Sequence, residues 1–111
     1  MKQEINYIGQ ADDKQLTAWK AKHGQVFVFE QIDAKDENTL HVTYVKKPNL
    51  TQIQRAINVA EDDMIKTGIT LLNDCHLGGS EKVMENEELK LGVSSLMPGL
   101  FKKVTATLKE V

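Results

Sequence analysis

Apolar positions along the chain switch between two spacings, and the switch outlines the fold. Leu16, Trp19 and His23 recur at helical intervals. Asp12 and Gln15 stand at capping-box spacing before them, and Gly24 follows as a stop. These residues predict a helix over 13–23 with Trp19 as its core anchor. Val26-Phe27-Val28-Phe29 is β-branched and aromatic and predicts a strand, apolar on both faces. A polar loop over 33–38 follows. Thr39–Lys46 alternates, with Leu40, Val42 and Tyr44 on one side and His41, Thr43 and Val45 on the other. That period of two predicts a half-buried strand that pairs with the first as a hairpin. The second face of Val26–Phe29 then needs a cover, either the N-terminal residues or a partner chain.

Pro48 donates no ladder bond and ends the second strand. Asn49 and Gln52 repeat the capping spacing. Leu50, Ile53, Ile57, Ala60 and Met64 form a helical stripe, resumed by Ile65, Ile69, Leu72 and Cys75. The pattern over 50–76 fits one long helix or two short ones, since Asp62-Asp63 can start a second. Gly78-Gly79 reads as the helix stop, and Ser80 as the cap of a single turn over 81–85. From Asn86 onward, Leu89, Val93, Leu96, Leu100, Val104 and Leu108 recur at three- and four-residue steps, an amphipathic helix. Pro98 removes a backbone donor inside it, so a kink or a break is expected near 97. Residues 1–10 read as a flexible arm or an edge strand. The expectation is one α+β domain over 1–111. Its order is an N-terminal helix, a β-hairpin, then a C-terminal helical bundle with a long kinked last helix.

Length and composition agree with a single core: 111 residues, 41% hydrophobic and 27% charged. A net charge of −2, a lone arginine (Arg55) and 5% aromatic residues argue against a nucleic-acid surface. Cys75 is the only cysteine, which points to a reducing compartment. No stretch reaches the roughly 18 apolar residues of a membrane helix.

Residues with chemistry are few. Cys75-His76 beside Asp74 invites a metal reading, but zinc needs three or four ligands, and His23 and His41 fall on separate elements. Cys75 lies on the apolar stripe, the usual place of a core cysteine. Gly78-Gly79-Ser80-Glu81 lacks the lysine and frame of a phosphate-binding loop. The neighbours in Asp12-Asp13 and Asp62-Asp63 point apart on a helix and suit helix starts. Glu81, Glu85, Glu87 and Glu88 form a solvated acidic stretch, and Ser94-Ser95 lacks a nearby base. We therefore expect no catalytic residues, no metal and no cofactor. The one binding surface the pattern suggests is the cluster around the proline: Leu96, Met97, Leu100, Phe101 and Val104.

Three stretches carry a family resemblance. They are Leu16–Gly24 leading into a strand, Tyr44-Val45-Lys46-Lys47-Pro48 closing the hairpin, and Leu71–Ser80 followed by the acidic stretch. Together the chain resembles small proteins of phage and prophage virion-gene clusters of Bacteroidetes type, among them tail assembly chaperones. The resemblance covers about residues 14–110. In related sequences an aromatic such as Trp often stands where this chain has His76. The resemblance implies a non-enzymatic assembly protein of the bacterial host cytoplasm, or of the virion. Such a protein binds other phage proteins such as the tape-measure protein, or copies of itself, and neither nucleic acid nor membrane. It also implies an alternative, a structural subunit of the tail-completion or head–tail connector kind.

Overall fold

A computed structural model describes residues 4–102 and 109–110, with side chains except at 101 and 102. The fold is α+β, built on a mixed four-stranded sheet. Strand β1 (Asn6–Ile8) precedes helix α1 (Asp13–His23). Strands β2 (Val26–Ile32) and β3 (Thr39–Lys46) follow as the expected antiparallel hairpin. Then come α2 (Leu50–Ala60), α3 (Met64–Cys75), β4 (His76–Gly79), α4 (Glu81–Glu85), α5 (Glu87–Ser94) and α6 (Pro98–Lys102).

β3 is the centre of the sheet. β2 runs along one of its edges. The other edge is shared: β1 pairs parallel with Thr39–His41, and β4 pairs antiparallel with Thr43–Val45. With both edges occupied, His41–Val45 are all buried, so β3 is buried on both faces and not on one. The N-terminal segment is thus an edge strand over Asn6–Ile8.

β4 corrects the expected helical stop. The helix ends at Cys75, and the two glycines lie in a strand. The reason is steric. A Cβ at Gly79 would stand 2.2 Å from the Val42 carbonyl oxygen, and one at Gly78 would stand 2.8 Å from the Trp19 ring. Gly79 also has φ +126°, a conformation that L side chains rarely adopt. The C-terminal half is therefore not a pure helical bundle, since one of its segments completes the sheet.

The 50–76 region is two helices. Asn49 and Gln52 form a full capping box, with each side chain bonded to the other's backbone N–H. Glu61 and Asp62 both take positive φ and turn the chain, and Asp63 caps α3 by accepting from Ile65 N–H. The expected interruption near 97 lies at residues 95–97. There the bonds tighten to i→i+3, from Leu96 N–H to Val93 and from Met97 N–H to Ser94. Pro98 is the first residue of α6, where its missing N–H costs no helical bond.

The core lies between one sheet face and helices α2, α3 and α5, and includes Val45, Leu71, Leu72, Cys75, Val93 and Met97. Phe27 and Phe29 of β2 pack against it. α1 lies on the opposite face, where Trp19 packs on Tyr44 at a tilt of 45°, with ring centroids 5.4 Å apart. None of its residues is fully buried, so Trp19 anchors the helix to the sheet from a half-exposed position.

Candidate functional site

The last apolar stripe divides when it meets the tightened turn. Leu89, Val93, Met97 and Leu100 follow steps of four, four and three residues, and all are buried. Leu96 is displaced from that row and is 55% exposed. The expected surface therefore separates. Among its described side chains, Met97, fully buried, and Leu100 are core, and Leu96 is on the surface. Phe101 lies in α6 but its side chain is outside the described residues, as is Val104 altogether.

Leu96 instead joins apolar residues from another element. Met64 and Ile65, on the first turn of α3, are each more than half exposed, and Leu91 of α5 is 45% exposed. These four, with Ser95, Pro98 and Gly99, line an open groove of about 290 Å³. Leaving four such side chains half in water forgoes roughly 1 kcal/mol of burial for each, about half of the full-burial gain. Clustered exposure on this scale is the usual mark of a surface that another molecule covers.

The groove depends on a close helix approach. A Cβ at Gly68 of α3 would stand 2.1 Å from the Ser94 carbonyl oxygen of α5. Only glycine lets the two backbones meet there. That contact places the start of α3 against the end of α5, where the four side chains converge. The α3 stripe showed Met64 and Ile65 in the sequence, but their juxtaposition with Leu91 depends on Gly68.

A second constellation was not visible in the sequence, because its members are 33, 41 and 80. His41 Nε2 lies 2.7 Å from Asp33 Oδ1, and Nδ1 lies 2.8 Å from Ser80 Oγ. Since the Asp33 carboxylate only accepts, Nε2 carries a proton toward it, and Nδ1 shares the second hydrogen bond with the Ser80 hydroxyl. The residue types are those of a serine–histidine–aspartate triad, but the ring nitrogens are exchanged, with Asp33 on Nε2 and Ser80 on Nδ1, and the surroundings do not suit acyl transfer. Ser80 and His41 are 2% and 1% exposed, and the Ser80 N–H is engaged by the Val42 carbonyl at 2.8 Å. The neighbouring cavity, about 430 Å³, reaches the relay only at Asp33. In this arrangement the hydroxyl has no path to a substrate carbonyl. The relay fastens the 33–38 loop and the start of α4 to β3. Ser80 thus stands at the N-cap position of α4 but spends its hydroxyl on His41, not on the helix. The bond from His41, joined by the Lys35 N–H, holds the Asp33 carboxyl below its ordinary range.

Cys75 is buried in the core, and burial pushes its thiol up to about 11. His76 is half-buried on β4, and desolvation, with Lys90 nearby, holds its pKa below the usual value. Asp74 pairs with Arg55 on α2 instead of joining Cys75 and His76. Among the described residues no group of three or more His, Cys, Asp or Glu side chains is arranged to hold a metal ion. Glu81, Glu85, Glu87 and Glu88 are exposed, and Asp12 and Asp63 are helix caps. Ser94 and Ser95 donate their hydroxyls to the carbonyls of Lys90 and Gly92 within their own helix.

The sheet face that carries α1 is covered only in part. Val28 and Ile32 of β2 remain 49% and 62% exposed, and Ile5 and Tyr7, across β3 from them, 51% and 43%. α1 covers part of the second face of β2, whereas β1 pairs on the far edge of β3 and gives β2 no cover, so the rest of that face stays open. No described helix is long and apolar enough to cross a membrane. No family model, curated protein or solved structure matches the chain.

Proposed function

We propose that this protein works by binding another protein, without catalysis, and that it is a phage tail assembly chaperone or adaptor of the host cytoplasm. The observation that carries the binding reading is the groove between α3, α5 and α6, where Met64, Ile65, Leu91 and Leu96 stay exposed beside a well-packed core. The tail assignment rests on the sequence resemblance. A chaperone for an elongated helical client needs an apolar groove on a stable frame, and the groove is compatible with that. The client implied by the resemblance is the tape-measure protein. Ile65→Asp and Leu96→Asp test the reading directly, because both positions are exposed and the fold tolerates a charge there. Each should abolish co-purification of the tape-measure protein while leaving the thermal unfolding of the isolated domain unchanged. Undiminished co-purification by both variants would remove the groove from the mechanism.

The open sheet face favours a second reading, a structural virion subunit. There Ile5, Tyr7, Val28 and Ile32 would form a contact between copies or with a neighbouring subunit. A fixed copy number in purified mature particles would establish it, and absence from particles would exclude it.

A further inference from the structure

Among the described residues, the turn next to the α3 end of the groove is acidic. The turn that leads into Met64 is Glu61-Asp62-Asp63, and all three residues are exposed. Glu61 and Asp62 both hold positive φ, so the turn has a fixed conformation and is not an extension of either helix. Lys66 is the only basic residue within 61–69. Lys90 precedes Leu91 in sequence but stands by His76, at the far end of α3 from the groove. An apolar groove with three carboxylates at one end selects among apolar partners by charge.

The groove runs between helices and offers no sheet edge. A strand entering it would leave its backbone groups without partners, whereas a helix satisfies its own. Resting on the protein-binding reading above, we propose that the occupant is an amphipathic helix of another protein, with lysine or arginine beside its apolar stripe where it meets Glu61, Asp62 and Asp63. Among the described residues, no helix of a second copy fits that description. Among the described residues α1 is the lysine-rich helix, with Lys14, Lys20 and Lys22, but its Trp19 already packs on Tyr44 and Gly78.

Two synthetic helical peptides with the same leucine stripe, one flanked by lysines and the other by glutamates, distinguish the possibilities by calorimetric titration into the full chain. The lysine peptide should bind roughly 10-fold more tightly, the product of several exposed ion pairs that each contribute a small factor. The gap should close in high salt. The pair Glu61→Gln with Asp62→Asn should remove most of the difference, and Leu96→Asp should abolish binding of both peptides. Equal affinity for the two peptides would overturn the charge selection and leave the groove standing. Binding of neither peptide would overturn both the charge selection and the groove as a helix site.

Discussion

Gly68→Ala and Gly99→Ala should change stability in opposite directions. In a helix, replacing glycine by alanine ordinarily gains up to about 1 kcal/mol, because the unfolded chain loses freedom and the helix is favoured. At Gly99 nothing lies within 4 Å of the new Cβ, so most of that gain should appear. At Gly68 the Cβ would meet the Ser94 carbonyl oxygen at 2.1 Å and its carbonyl carbon at 2.8 Å. Both are backbone atoms, and comfortable contact begins near ~3.5 Å. The two helices must part by about 1 Å, which disturbs the packing of Leu71, Leu72 and Val93 between them. Overpacking of this kind costs about 1–3 kcal/mol. The propensity gain offsets part of it, leaving a net loss of roughly 1–2 kcal/mol. Urea unfolding followed by circular dichroism gives the test. With a denaturant slope of about 1–3 kcal/mol/M, Gly68→Ala should lower the midpoint by roughly 0.5–1 M and Gly99→Ala should raise it slightly. Gly68→Ala should also weaken groove binding, since the α3–α5 contact places Ile65 and Leu91. A Gly68→Ala protein as stable as the parent would show that the close approach is not what fixes the helix pair.

Four further outcomes follow from the same geometry. Cys75 is fully buried with its thiol raised to about 11, so a thiol reagent at pH 8 should modify it only at the rate of global opening; rapid labelling of the native protein would contradict its place in the core. His41→Ala should cost about 2–4 kcal/mol, because a core-sized ring is lost and the Ser80 hydroxyl is left unpaired. Asp33 has its folded pKa lowered beneath 3.8, so the unfolded chain takes the proton first and stability falls as pH drops from 3.8 through that lower value; acid titration of His41→Ala should show a shallower loss over that range, and an unchanged slope would detach Asp33 from the relay. Asn49→Ala removes one half of a complete capping box and should cost about 1 kcal/mol, read as a lower melting temperature.

Much of the frame could be read from periodicity. α1, the hairpin and the α2 capping box announce themselves through local spacing, and a helix signal depends only on neighbours three and four residues away. β4 could not be read that way. His-Leu-Gly-Gly has neither alternation nor branched side chains, and it becomes a strand because β3 offers an edge and glycine allows the approach. The groove was legible in pieces. Leu96 stood out beside the proline, but the tightened turn at 95–97 decides which of Leu96 and Met97 faces inward, and a strict helical wheel does not contain that turn. The relay of Asp33, His41 and Ser80 joins a loop, a strand and a cap, with His41 and Ser80 39 positions apart. Only the tertiary fold brings those three together.

The most direct measurement is site-specific photocrosslinking in cells producing the complete tail, with a photoreactive amino acid at Leu96, at Ile65, at Val28 of the open sheet face, and at exposed Lys14 as a control. The groove reading predicts adducts with the tape-measure protein from positions 65 and 96, and none from 28 or 14. Adducts from position 28 alone, retained in mature particles, would contradict it and identify a structural subunit instead.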